Sequence, residues 1–249
     1  MSQRPFTLIQ LSDAHFLEDP EGLYRDQSPD ARLAQLKPAL KALKPDGLVL
    51  TGDMAEDGSR PAYERVVTHL EGLAPQVGWI PGNHDDVDEM ASVFGSGGYD
   101  SGPLLHWGGW RLALLNSVVE NDPAGELNQD QLSLLDSLGQ DPQPTLLFVH
   151  HQPMAVQSPW IDRFPLRSPE ELMNRLDPQW ARAVAFGHVH QIFSVVHEGV
   201  QYLSAPATSV NSQAQMERFT VDPTGPKARW FRLMPEGRWA TGVISAGMV

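Results

Sequence analysis

Gly47-Leu48-Val49-Leu50-Thr51-Gly52-Asp53 is a short apolar run that stops at a glycine and a carboxylate. Five residues of this kind, bounded by a turn signal, read as a buried strand, and a helical pattern over 60–73 follows. The same construction recurs outward in both directions. Thr7-Leu8-Ile9-Gln10-Leu11 runs into Asp13-Ala14-His15, and Val77-Gly78-Trp79-Ile80 into Gly82-Asn83-His84-Asp85. Leu146-Leu147-Phe148-Val149 runs into His150-His151, and Ala183-Val184-Ala185-Phe186 into Gly187-His188-Val189-His190. Strands alternating with helices predict βαβ units and an α/β fold. In open α/β sheets the crevice beyond the carboxyl ends of the strands holds the ligand, so five polar clusters at strand ends can converge. Gly52, Gly82 and Gly187 are expected to permit the tight turns that aim the next side chain into that crevice. Carboxylate and amide oxygens beside neutral imidazoles suit first-row divalent metals, and these motifs carry enough of them for two adjacent sites.

The intervening segments fit this plan. The spacing Leu33, Leu36, Leu40, Leu43 predicts a helix over 28–43 with Ser28 as N-cap and Pro29 at its first position; Pro38 is expected to kink or split it. A further helix is predicted over 127–138, and a run of glycines over 95–102 ends the helix that follows Asp85. After His190 the character changes to short strands over 192–196, 201–204, 218–221 and 229–233, which are expected to form a second sheet packed on the first. Nothing resembles a linker, so residues 1–249 read as one domain.

Composition narrows the chemistry. With 249 residues and 41% hydrophobic content the chain can bury a large core. The absence of cysteine excludes disulfides, thiolate ligands and a cysteine nucleophile. A net charge of −13 argues against a protein that binds long nucleic acid, since that depends on Lys and Arg displacing counterions. A small phosphate ester remains compatible, because bound dications attract anions even within an acidic protein. No apolar stretch reaches the length of a membrane span and the start lacks a signal-peptide core, so a cytoplasmic protein is expected.

In order and spacing the motifs D-x-H, G-D, G-N-H-[DE], H and G-H-x-H resemble those of the calcineurin-like metallophosphoesterases, over nearly the whole chain. The resemblance implies two packed mixed β-sheets flanked by helices, a four-layer sandwich. It assigns Asp13, His15 and His190 to one metal ion, Asn83, His150 and His188 to the other, and Asp53 as the bridge. His84 becomes the non-coordinating catalytic acid. Iron and manganese fit the family, and zinc or cobalt would accept the same ligands. The implied reaction is in-line attack of a metal-bridging hydroxide on phosphorus, with metals roughly 3.5–4 Å apart and His84 protonating the departing oxygen.

Closer features resemble the bacterial class III 3′,5′-cyclic-AMP phosphodiesterases: the segment Gly52 to Gly58, His150-His151-Gln152-Pro153, Ser158-Pro159-Trp160-Ile161-Asp162 and Ser204 to Thr208. The implied substrate is a cyclic nucleotide, cyclic AMP giving 5′-AMP, and the implied assembly a homodimer. Ala14 stands where close relatives often carry Thr or Ser, which leaves both ligands of that motif in place. Two rival readings share the motifs: a hydrolase of other phosphodiesters or pyrophosphates, such as glycerophosphodiesters or a lipid-A precursor, and a protein-binding scaffold, which should have lost ligands.

Taken singly the same residues have plainer readings. Asp13 would serve as a turn residue and Asp53 or Asn83 as an N-cap. Asp85 is a candidate to orient His84, and His151 a candidate substrate contact. Trp160 suits either base stacking or packing, Glu56 and Asp57 either the site or a solvated turn, and Ser204 to Thr208 either the pocket border or a plain turn. His69, His106 and His197 lack motif context and read as ordinary histidines.

Overall fold

The apolar runs become strands whose carboxyl ends lie together. The computed structural model describes residues 4–247. Its first half runs β1 (Phe6–Leu11), α1 (Pro29–Ala42), β2 (Gly47–Thr51), α2 (Arg60–Leu70), β3 (Val77–Ile80), α3 (Val87–Ser96), β4 (Leu104–Trp107) and β5 (Trp110–Leu115). The second runs α4 (Gln129–Leu138), β6 (Thr145–Val149), α5 (Pro159–Asp162), α6 (Pro169–Met173), β7 (Ala181–Phe186), β8 (Ser194–His197), β9 (Val200–Ser204), β10 (Lys227–Leu233) and β11 (Trp239–Ser245).

Two mixed sheets result, with strand orders β11-β10-β1-β2-β3 and β4-β5-β6-β7-β9-β8. In the first, β1, β2 and β3 are parallel, while β10 runs antiparallel to β1 and β11 to β10. In the second, β5, β6, β7 and β9 are parallel and the edge strands β4 and β8 antiparallel. Side chains alternate across each strand. Leu8, Val49, Ile80, Leu146, Phe148, Ala185 and Phe231 therefore fill the space between the sheets. Ile9, Leu48 and Leu50 face outward onto Leu33 and Leu36 of α1 and Tyr63 and Val66 of α2. Leu147, Val149 and Val184 do the same on the other side, against Leu132 and Leu135 of α4. These faces make the helix–sheet–sheet–helix sandwich that the motifs imply.

Several local expectations change. Ser28 does cap α1, accepting from the Ala31 N–H at 3.3 Å, but Pro38 neither splits nor ends that helix. Pro38 and Ala34, whose carbonyl loses its partner, both lie on the solvent face, where water can take over. The helix predicted to reach residue 73 ends at Leu70. No strand forms at 218–221, which is tied by a bridge between Ser212 and Val221 and by bonds to the side chains of Ser212 and Gln213. The strands after His190 also do not build a sheet of their own. β8 and β9 extend the sheet that holds β5, β6 and β7, and β10 and β11 return to pair with β1. The site then lies where β1, β2 and β3 of one sheet meet β6 and β7 of the other. Among the described residues no helix is long and apolar enough to cross a membrane.

Candidate metal centre

Asp13 and His15 follow β1, Asp53 follows β2, Asn83 follows β3, His150 follows β6, and His188 and His190 follow β7. Five of these seven have left-handed backbone: Asp13 (φ 55°), His15 (50°), Asp53 (52°), His188 (66°) and His190 (50°). Such angles disfavour residues with a Cβ, and they persist only where surrounding bonds impose them. Those bonds are present. Asp13 N–H donates to Gly52 O and His15 N–H to Asp53 O, both at 3.0 Å, and His188 N–H donates to the two Asp13 carboxylate oxygens at 3.0 and 3.1 Å. Of the three glycines expected to make turns, only Gly52 has positive φ, at 88°. Gly82 is needed for room instead: a Cβ there would lie 2.2 Å from Asp53 Oδ1 and 2.7 Å from His150 Cε1. Gly187 is crowded likewise by Ser12 Oγ.

The histidine tautomers show what the cluster can hold. His150 Nδ1–H donates to Thr51 O at 2.7 Å, so its Nε2 lone pair faces Asn83 Oδ1 at 3.2 Å and Asp53 Oδ2 at 3.3 Å. His190 Nδ1–H donates to Val210 O at 2.7 Å and His15 Nδ1–H to Glu56 Oε2 at 2.7 Å. Their Nε2 atoms then face each other across 3.1 Å, with Asp13 Oδ1 3.4 Å from that of His190. His188 Nε2–H donates to Phe164 O at 3.1 Å, leaving Nδ1 free. Acceptors thus converge on acceptors, an arrangement that only protons or cations relieve. Ligand atoms of Asp13, His15 and His190 lie within 4.8 Å of one another, as do those of His15, Asp53 and His84, of Asp13, Asp53 and His150, and of His150, His151 and His188. Asp53 joins the first of these regions to the last. This oxygen and nitrogen donor set fits two divalent cations with Asp53 between them.

Residues 6–192 match the family model for calcineurin-like phosphoesterases. The chain belongs to the calcineurin-like phosphoesterase family. The phosphoesterase is 35% identical over 246 residues to a 3′,5′-cyclic-nucleotide phosphodiesterase of Nostoc sp., covering 96% of this chain and 92% of that one. It is 34% identical to the 3′,5′-cyclic adenosine monophosphate phosphodiesterase of Pseudomonas aeruginosa, covering 95% of this chain and 88% of that one. A dimetal phosphatase from Danio rerio shares the fold at 14% identity, with a TM-score of 0.67 over 98% of this chain and all (100%) of that one.

Around this centre, the phosphoesterase places the remaining candidates differently from the expectations. Glu56 is no solvated turn residue: its Oε2 accepts from His15 Nδ1 at 2.7 Å and lies 3.1 Å from His84 Nδ1. Glu56 therefore holds both rings, His15 through its carboxylate and His84 through its backbone carbonyl at 3.3 Å, and bonds to neither Nε2. Asp57 does serve the turn, accepting from Glu18 and Ser59 N–H. The His84 side chain is 38% exposed, against 5% or less for His15, Asp53, His150 and His190, so it is the one reachable from solvent.

Asp85 does not orient His84. Its carboxylate accepts from Met54, Ala55 and Gly82 N–H and from Tyr63 Oη, which pins the Asp53 loop to the Asn83 loop. Burial, and then the Asp53 charge, push its pKa up to about 6. His151 is fully buried behind His150 and His188, with Nδ1 2.8 Å from Ser117 Oγ, and burial together with His150 pushes it down to about 3. It is neutral and closed to solvent, with an Nε2 that has no hydrogen-bond partner and a ring nitrogen that clusters with those of His150 and His188. Ser204 to Thr208 is buried too, with Thr208 bonded to Ser12 O, so it backs the Asp13 loop. His69 pairs with Asp30, as an ordinary histidine.

The protein charges alone give the metal-stripped site a proton. Burial opposes a charged His150, but Asp53, by charge and by hydrogen bond, and then Asp13 hold it up to about 9. Asp53 is correspondingly held well below the usual carboxylate range despite its burial, chiefly by His150. Below pH 9 an incoming cation must displace that proton from Nε2. Metal affinity should thus rise about tenfold per pH unit between pH 6 and 8, with proton release on binding. Calorimetric titration of stripped protein with Mn²⁺ in buffers of different ionisation enthalpy measures both; equal affinity at both pH values would contradict the assignment.

Proposed function

We propose that this phosphoesterase is a metal-dependent phosphodiesterase that hydrolyses 3′,5′-cyclic nucleotides, cyclic AMP to 5′-AMP. The observation that carries the reading is the converging set of bare imidazole nitrogens and carboxylates beside a solvent-reachable His84, in a chain whose relatives of near-equal length carry cyclic-nucleotide phosphodiesterase names. Asp13, His15 and His190 would hold one divalent ion, Asn83, His150 and His188 the other, and Asp53 both; iron and manganese are the proposed pair. When bound, the ions supply Lewis acidity that activates water and neutralises phosphoryl charge.

The chain's own residues do the rest. The Glu56 backbone carbonyl accepts from His84 Nδ1–H at 3.3 Å, with the Glu56 carboxylate 3.1 Å from the same nitrogen, and Nε2–H is left for a substrate. Burial disfavours charge on His84, yet Asp53 and Glu56 outweigh it and raise its pKa, which favours the protonated ring that an acid needs. As water oxygen bonds to phosphorus and the P–O3′ bond breaks, His84 gives its Nε2 proton to O3′. We read residues 1–249 as one domain for this purpose, since the site draws on both sheets.

The test compares kcat/KM for cyclic AMP, cyclic GMP, bis(p-nitrophenyl) phosphate and glycerophosphodiesters, with stripped enzyme reloaded with Mn²⁺ or Fe²⁺. A clear preference for cyclic AMP is expected. Flat, slow turnover across the panel would discard the cyclic-nucleotide assignment and keep only the hydrolase.

A further inference from the structure

One wall of the metal centre is aromatic and cationic in a protein that is otherwise acidic. The Phe219 ring lies 5.5 Å from His190 and meets Trp160 edge-on at 5.0 Å, and Trp160 is 6.4 Å from His190. The Arg25 guanidinium lies 3.7 Å from the Phe219 ring centre, and its Nε donates to Tyr24 Oη at 3.1 Å. Tyr24 in turn stacks on the His15 ring at 4.1 Å. Arg25 is exposed and makes no salt bridge among the described residues. The opposite side is a cleft beside His84 lined by Asp57, Asp86, Asp88 and Glu120, with no aromatic ring other than His84 itself.

Each part of the wall is held at a cost or by a specific bond. Tyr24 and Gln27 exchange N–H···O bonds at 2.9 and 3.0 Å around Arg25 (φ 47°) and Asp26 (φ 63°), a two-residue turn whose positive φ values favour Asn and Gly. Trp160 stands on α5, whose Asp162 carboxylate accepts from Val156 and Ser158 N–H. Ser158 Oγ donates to Gln191, next to His190, and accepts from Gln215 N–H. The Phe219 loop hangs from the same place, Ser212 N–H donating to His190 O. Both rings are thus fixed relative to a proposed ligand. The Trp160 indole nitrogen is screened from solvent and has no hydrogen-bond partner.

We propose that Trp160, Phe219 and Arg25 form the subsite that holds the nucleobase of a cyclic nucleotide, and so favour nucleoside esters over base-free ones; this rests on the reading under Proposed function. Planar bases stack on aromatic rings and on guanidinium planes whatever their edges. The acidic cleft offers neither.

The test uses Mn²⁺-loaded enzyme with cyclic AMP and with the same 3′,5′-cyclic ribose phosphate lacking its base. Trp160→Ala, Phe219→Ala and Arg25→Ala should each lower kcat/KM for cyclic AMP by roughly 10- to 100-fold, mainly through KM. Activity on the abasic phosphate should stay within about threefold of wild type at unchanged metal content, and Trp160→Phe should recover most of the loss. Variants that keep wild-type activity on cyclic AMP, or that lose both substrates equally, would overturn the subsite alone. A wild-type enzyme that does not prefer cyclic AMP to the abasic phosphate would overturn both the subsite and the cyclic-nucleotide reading.

Discussion

Asp53→Ala should lower turnover by about 10⁴-fold or more and leave the protein unable to hold its full complement of metal. Asp53 is 2% exposed, and its carboxylate reaches both halves of the cluster: Oδ2 lies 3.3 Å from His150 Nε2 and 3.9 Å from His15 Nε2. On the proposed assignment, removing it would leave neutral imidazoles and Asn83 to hold one ion with no anionic ligand. Alanine at φ 52° also lacks the polar side chain that helps Asp tolerate left-handed backbone, and leaves the His84 N–H without its 2.9 Å acceptor. Asp53→Asn separates these effects, because it keeps shape and an acceptor while removing the charge. Elemental analysis and turnover should show the asparagine variant deficient in metal and nearly as slow as the alanine one. An asparagine variant with both ions and near wild-type kcat would contradict the bridging role.

The sequence made the strands and their polar ends legible because burial writes itself into composition: Leu48, Val49 and Leu50 are all fully buried. Which sheet each strand joins was not legible. Alternation along β10 tells which side chains point inward, not that the strand returns to β1 across most of the chain. The edge strand β4, only four residues and partly exposed, has no such signal. Nor does a sequence announce left-handed backbone at Asp13, His15 or His188, where side chains normally disfavour it. The place of Glu56 stays open in the sequence for that reason: the turn at Asp53 folds the chain back so that Glu56 meets His15, forty-one positions away. Adjacency to His84 makes Asp85 a candidate to orient it but says nothing of direction, and four donors on other residues claim its carboxylate.

His84→Ala should behave in the opposite way to the Asp53 variants, keeping the metal and losing rate. The imidazole bonds only through Nδ1 to Glu56, and the donor sets around Asp13 and around His150 are complete without it. Loss of a positioned acid costs about 10²- to 10⁴-fold in kcat on cyclic AMP, whose departing sugar alkoxide needs a proton. p-Nitrophenolate leaves without one, so bis(p-nitrophenyl) phosphate should be hydrolysed at closer to the wild-type rate. The pH profile gives a second readout. With its pKa raised by Asp53 and Glu56 against the pull of burial, His84 keeps its proton to higher pH than a free imidazole and loses it as the pH climbs past that raised value. Wild-type kcat on cyclic AMP should therefore fall on the alkaline side, and the alanine variant should lack that limb. Metal loss in His84→Ala, or an equal fall on both substrates, would mean that His84 supports the cation site and is not the acid.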